Sequence, residues 1–183
     1  MAVNTKTELP QLFMRHNNIT ALPPLCLPNG GMSLHTHTEG EEENWETLIE
    51  KAFGSHYSFD EFIRNGGDYA PEHVLYLNKD GIDIATATAV EKETFPGEGW
   101  FRMIGTIPES RGLGAGRLIC LAALHSLAAR GYKTAVLSTD DERIPAIKLY
   151  LSLGFEPIYT HDSHKERWEK VMKIINGQVR LDK

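Results

Sequence analysis

Two periods alternate along this chain. From Met32 to Thr38 apolar and polar positions alternate, the period of a half-buried strand. From Glu41 to Ala52 the spacing changes: Trp45, Leu48, Ile49, Ala52 and Phe53 recur every three or four residues, which predicts a helix with Glu41, Glu42 and Glu43 in its first turn. Ser58 to Ile63 reads as a shorter helix, with Ser58 and Glu61 spaced as a capping box and Asn65-Gly66-Gly67 ending it. Strand patterns return at Val74–Leu77 and Ile82–Glu91, joined by Asp80-Gly81, and at Trp100–Ile107 after Pro96-Gly97 and Gly99. Leu118–Arg130, stopped by Gly131, is a helix; Tyr132–Ser138 is a buried strand; Ile144–Leu153 is a helix with Pro145 in its first turn. Phe155–Thr160 is a strand, and Ser163–Ile175 a last helix with Trp168, Val171, Met172 and Ile175 on one face. Upstream, Leu9–Arg15 is a short strand, and Pro23-Pro24 with Pro28-Asn29-Gly30-Gly31 rules out regular structure. Hairpin strands followed by alternating strands and helices predict an α/β fold: a mixed, mostly antiparallel twisted sheet with helices on both faces. Residues 1–31 read as an arm packed on a single domain, 32–183.

Composition narrows the class. At 183 residues the chain has enough length for one sizeable core. A net charge of −6 argues against a nucleic-acid surface and gives weak steering towards cationic amines. Cys26 and Cys120 form no disulfide framework, and Cys120 falls in an apolar helical pattern that suits a buried, inert thiol. Met1–Pro10 lacks a signal-peptide apolar region, and Leu118–Ala129 is too short to span a bilayer, so the expected setting is cytoplasmic with no membrane partner.

The chemistry concentrates where the strand Trp100–Ile107 meets the helix after it. Between them lies Pro108-Glu109-Ser110-Arg111-Gly112-Leu113-Gly114-Ala115-Gly116-Arg117. Strand, glycine loop and helix hold a phosphate because glycines let the main chain approach the anion and the first-turn N–H groups point at it. Arg111 adds a charged donor. The loop lacks the Gly-Lys-Ser/Thr of a P-loop and the spacing of G-x-G-x-x-G. The competing reading is a glycine-rich reversal with no ligand.

Arg111 to Gly116 reads Arg-x-x-Gly-x-Gly, which resembles the acyl-CoA signature of the GNAT superfamily of N-acetyltransferases. Ala146-Ile147-Lys148-Leu149-Tyr150-Leu151-Ser152-Leu153-Gly154-Phe155 is similar to that superfamily's later Ala-Ile-x-Leu-Tyr-x-x-x-Gly-Phe motif. The resemblance covers about Val74 to Phe155. It implies acetyl-CoA as co-substrate, its pyrophosphate held by Arg111, Gly112, Leu113, Gly114, Ala115, Gly116 and Arg117. Gly105, Thr106 and Ile107 would offer main-chain groups to the pantetheine arm, and one such amide would polarise the thioester carbonyl. Tyr150 would be the acid that protonates the thiolate, against the plainer reading of a core aromatic. Arg143 stands where the superfamily often has asparagine, and is expected near the cofactor. The acceptor is a small-molecule or peptide amine, and a homodimer is compatible with the sequence.

Other polar groups have plainer explanations. Asp140-Asp141 reads as loop and helix-start charge. His35 with His37, and His161 with His164 around Asp162, supply two donors each and no convincing third, so no metal is expected. The strand Trp100–Ile107 carries no carboxylate; deprotonation would pass through water or a residue such as Glu91, Glu93 or Asp140. Two rival functions remain at this level. One is an acyl-CoA-binding sensor or interaction module without catalysis. The other is a dinucleotide-binding protein, disfavoured because half the chain precedes the loop.

Overall fold

The computed structural model describes residues 9–28, 30–65 and 68–181, the last four as backbone only. The N-terminal stretch 1–8, Asn29 of the proline-rich loop and the Gly66-Gly67 helix stop lie outside the described residues. The chain divides into two compact units, His16–Leu137 and the remainder, made of the segment up to Arg15 and that from Ser138 onward.

In the larger unit, strand neighbours run β2 (Met32–Thr36), β3 (Val74–Lys79), β4 (Ile82–Glu91), β5 (Gly99–Thr106) and β6 (Ala135–Thr139, whose last two residues belong to the smaller unit). The first three pairings are antiparallel and β5–β6 is parallel. Asp80 and Gly81, both at positive φ, close the β3–β4 hairpin as its two-residue spacing predicts. The helices α1 (Glu42–Phe53) and α2 (Ala115–Ala129) cover opposite faces of this sheet. Two glycines mark where each lies close. A Cβ on Gly105 would stand 2.9 Å from Ile49 Cδ1 and 3.1 Å from Ala52 Cβ of α1, and one on Gly99 would meet Leu127 of α2 at 2.7 Å. On β4 the odd positions Ala85, Ala87 and Ala89 are fully buried and small, which lets α2 settle on the sheet with Ile119, Leu124 and Leu127. Each of those larger side chains contributes on the order of 1.5–3 kcal/mol by burial.

The smaller unit holds β1 (Leu12–His16, its last residue in the larger unit) beside β7 (Phe155–Ile158), with α3 (Ile144–Ser152) and α4 (His164–Leu181). Trp168, Val171 and Ile175 form the buried face of α4, as their spacing predicts. Asp141 is not merely loop charge. Arg167 of α4 clasps its carboxylate and also donates to the Pro10 carbonyl at 2.6 Å, which ties the loop before α3 to α4 and β1.

Three local expectations change. The short helix after α1 is a single wide turn, Asp60–Arg64, with no side-chain cap; the Phe59 N–H at its start donates to Glu46 Oε1 of α1 at 2.8 Å, which ties the turn to that helix. The helix placed at Leu118 begins at Ala115, so Gly116 lies inside its first turn. One-turn 3₁₀ segments, Pro71–His73 and Pro108–Ser110, precede β3 and the glycine loop. Among the described residues, no helix is long and apolar enough to cross a membrane.

Candidate active site

The glycine loop is built by three backbone decisions. After β5, Pro108–Ser110 turns the chain, and Ser110 is pinned by its N–H and hydroxyl to the Ile107 carbonyl at 3.0 and 2.7 Å. Gly112 (φ 79°) and Gly114 (φ 72°) both adopt the left-handed region, which costs any other residue type about 1–2 kcal/mol. A Cβ built on either meets nothing within 4 Å, so the space in front of the loop is open. Gly114 then caps α2 without a side-chain partner, and the N–H groups of Ala115, Gly116 and Arg117 have no acceptor within the helix. Arg111 and Arg117 are exposed on the same stretch, and Leu113 is 39% exposed, a large apolar side chain at the rim. The result is a run of main-chain donors with the positive end of a fifteen-residue helix behind them and two arginines beside them.

Sequence reasoning missed the feature next to it. β4 and β5 pair Thr86 with Gly105 and Thr88 with Arg102, so two residues of β4 step against three of β5. The extra residue is a β-bulge at Met103–Ile104, with Met103 at φ 47°. A bulge takes main-chain N–H groups out of the ladder and re-aims them. The parallel pairing with β6 covers only Gly99, Trp100 and Phe101, so the bulge lies beyond its last pair. A methionine with positive φ inside an apolar strand has no sequence signature, which is why the bulge was not legible. Of the predicted strand residues, Ile107 has its N–H donated to Ile84 and its carbonyl occupied by Ser110. Gly105 sits under α1, and Thr106 pairs with Ala85.

Arg143 and Tyr150 lie in the smaller unit. Arg143 is the residue before α3, with its guanidinium 3.4 Å from Asp140. Asp140 also accepts from Gln11 at 2.9 Å, so this carboxylate is engaged on two sides. Tyr150 is 6% exposed, its ring edge-on to Phe155 at 6.0 Å. That setting accommodates a core aromatic as well as a proton donor.

Glu91 is a hairpin organiser. Its carboxylate accepts from the Gly97 N–H at 3.1 Å and the Tyr132 hydroxyl at 3.0 Å, opposite Gly99, about 13–17 Å along β5 from the bulge. Glu93 follows in the same hairpin, on the wall of a recess of about 830 Å³ with Asn65, Asp68 and Lys92. The histidines have structural partners. His35 bonds Asp83 at 2.8 Å, and these hydrogen bonds raise its pKa although burial opposes them. His37 is buried against Phe59 with its Nδ1 3.0 Å from the Tyr76 hydroxyl, and burial lowers its pKa. His164 is buried and likewise lowered by burial. Among the described residues no three His, Cys, Asp or Glu side chains gather to hold a metal ion. Both cysteines are free; Cys120 is buried, and burial drives its pKa far up, as expected of an inert thiol.

With this geometry in view, comparison with known proteins places the chain. The acetyltransferase (GNAT) family profile matches residues 38–155, a span that contains the loop, the bulge and the Tyr150 motif. A mycothiol acetyltransferase of Thermobispora bispora is 31% identical over 154 residues, covering 78% of this chain and 52% of the relative. The chain thus spans about half the length of the curated relatives it matches. A GCN5-related N-acetyltransferase from Sphaerobacter thermophilus superposes with a TM-score of 0.66 at 22% identity, over 82% of this chain and 50% of that one. An aminoglycoside N-acetyltransferase in complex with CoA gives 0.59 at 19%, over 74% and 95%. Such distant likenesses speak for the fold, a mixed α/β sheet flanked by helices. The match across the loop, the strand before it and the later motif makes this chain a member of the GNAT acetyltransferase family.

Proposed function

We propose that this protein transfers the acetyl group of acetyl-CoA to the nitrogen of an amine. The observation that carries the reading is the open glycine loop on the N-terminus of α2, with the Met103–Ile104 bulge at the strand leading into it. Pyrophosphate suits the loop: main-chain N–H groups of Gly114 to Arg117 donate, and Arg111 and Arg117 neutralise charge. The pantetheine arm then runs back along β5 over Thr106 and Gly105, and the thioester lies near the bulge.

There the neutral amine attacks the carbonyl carbon. The N–C bond forms, and the negative charge on the carbonyl oxygen is met by a bulge N–H, an arrangement that elsewhere is worth roughly 10²–10³ in rate per donor. The C–S bond breaks, sulfur leaves as thiolate, and the ammonium proton passes to water. Tyr150 gives the thiolate its proton; that role rests on the tyrosine's place in the Ala146–Phe155 motif. Arg143, 3.4 Å from Asp140 at the start of α3, keeps the role of cofactor contact that its place before the Ala146–Phe155 motif implies. Holding the two reactants in line provides much of the acceleration. Glu91, bound within its hairpin, is not the base.

A screen with acetyl-CoA and detection of free CoA thiol tests the reading. The panel holds simple amines, polyamines, amino acids, peptide N-termini and, from the name of a structural neighbour, aminoglycosides. Acetylated amine from at least one class is the expected result. Tight CoA binding with no product from any amine would instead favour a sensor that keeps the fold without the chemistry.

A further inference from the structure

The segment that leads from β1 towards β2 crosses the outside of α2 and is held there at two points. The Ile19 N–H donates to the Lys133 carbonyl at 2.8 Å, just past the C-terminal end of the helix, and Ile19 is buried. Within α2, His125 Nε2 donates to the Pro23 carbonyl at 2.9 Å. Onward from there, Pro23, Pro24 and Pro28 lack N–H groups and fix their own φ, so the chain continues as a stiff apolar strip outside any strand or helix. Between this strip and the first two turns of α2 lies a cleft of about 320 Å³. One wall is the prolines of the strip with the exposed Cys26. The other is Gly114, Arg117, Leu118 and Leu121, whose spacing makes one stripe that continues to His125. That stripe faces away from Leu127, which packs over Gly99 of β5.

The cleft is continuous with the glycine loop, because Leu113, Gly114 and Arg117 belong to both. Leu113 is 39% exposed at their junction. A large apolar side chain gives a phosphate nothing; it gains when an apolar surface covers it. A pyrophosphate, moreover, has two ends. In the proposed function one end, the pantetheine arm, returns along β5 on the sheet side of the loop. The opposite end of acetyl-CoA carries adenosine, whose flat base has apolar faces, and it emerges on the outer side of α2, where the cleft begins. A cleft of this size stands at the small end of the range for ligand pockets, which suits a base with its ribose.

We infer that the cleft between the proline strip and the outer face of α2 is the subsite for the adenosine end of acetyl-CoA. The inference rests on the acetyl-CoA reading of the loop and extends it to a segment that the loop's motif does not include. The base lies between the prolines and Leu118 and takes Leu113 out of water, a contribution that scales with the apolar area covered. Arg117 brings positive charge to the phosphate on the ribose. The prolines and the His125 bond set the wall before the ligand arrives, so little ordering is lost when it binds.

Cys26 reports on the cleft directly. Cys120 is buried, so Cys26 is the thiol that iodoacetamide reaches in the folded, intact protein. With acetyl-CoA at about ten times its Kd, mass action leaves about a tenth of the clefts open and alkylation of Cys26 slows about tenfold. Adenosine 3′,5′-bisphosphate slows it as well, whereas acetyl-4′-phosphopantetheine, with the same acyl end and no adenosine, leaves the rate unchanged. Cys26→Trp fills the cleft from an exposed segment; in calorimetric titration it weakens acetyl-CoA by about tenfold and leaves acetyl-4′-phosphopantetheine as in wild type. An unchanged alkylation rate in protein saturated with acetyl-CoA, equal protection by acetyl-CoA and acetyl-4′-phosphopantetheine, or wild-type affinity for acetyl-CoA in Cys26→Trp overturns the subsite while the loop keeps its ligand. Protection by an amine acceptor in place of acetyl-CoA assigns the cleft to the acceptor and overturns the inference too. A wild-type protein that binds none of these CoA-derived ligands overturns the acetyl-CoA reading, and the inference with it.

Discussion

Tyr150 is the residue at which packing and chemistry are hardest to separate. It is buried against Phe155, and its hydroxyl is the proton source the proposed mechanism assigns by motif. Tyr150→Phe keeps the ring and removes the proton. A thiol's ordinary pKa of about 8.5 makes thiolate a tolerable leaving group without help, and general acids contribute about 10²–10⁴-fold. The variant is therefore expected to fold and bind acetyl-CoA as wild type does, with kcat down by about 10²-fold and more at high pH, where water donates protons poorly. Steady-state kinetics across pH reads this out; undiminished kcat would return Tyr150 to the core. Asp141 shows how far one residue's role depends on what the fold brings to it. Sequence placed it correctly after a strand, but its clasp by Arg167, 26 positions away, is a tertiary fact.

Elements were legible where a strong period or a turn signal marked them. The Trp45–Phe53 stripe, the Asp80-Gly81 hairpin and the alternating alanines of β4 each left a local trace, and each element stands within a few residues of its expected place. The glycine loop was legible for the same reason, since left-handed backbone at Gly112 and Gly114 demands the residue type that reveals it. The bulge and the Glu46 bond to Phe59 were not, because each depends on which elements lie side by side and in what register. Close packing over Gly105 belongs to the same level and makes a prediction. Gly105→Ala would place a methyl group 2.9 Å from Ile49 Cδ1 and 3.1 Å from Ala52 Cβ, so side chains of α1 next to the proposed pantetheine path must give way. A loss of about 1–3 kcal/mol is expected, measured by urea denaturation, together with weaker acetyl-CoA binding. A neutral effect on both would show that α1 yields at no cost.

For the whole molecule, the titrating groups fix how stability depends on pH. His37 in the larger unit and His164 in the smaller have folded-state pKa values lowered by burial. Their contribution is present above the unfolded value of about 6.5 and lost as pH falls through the folded values. His35, raised through Asp83, acts in the opposite sense and offsets part of this. Asp141 is lowered by its hydrogen bonds with Arg167, so its contribution is present above about pH 4 and fails at lower pH. Acid denaturation is thus expected to begin below about pH 6.5, before the carboxylates titrate. His37→Gln should blunt that first loss; a stability flat from pH 7 to pH 4.5 in wild type would contradict the assignment.

The account turns on one claim, that the loop from Arg111 to Arg117 holds the pyrophosphate of acetyl-CoA. Calorimetric titration of the intact protein with acetyl-CoA, beside Gly114→Glu and beside NAD as a control ligand, tests it most directly. Gly114 has open space before it, so glutamate can be accommodated apart from the backbone strain of about 1–2 kcal/mol, while its carboxylate occupies the phosphate's position. Saturable binding of acetyl-CoA to wild type, no heat with NAD, and loss of acetyl-CoA binding in a folded Gly114→Glu protein are the predicted results. Acetyl-CoA bound equally well by the variant, or not at all by the wild type, would contradict the claim.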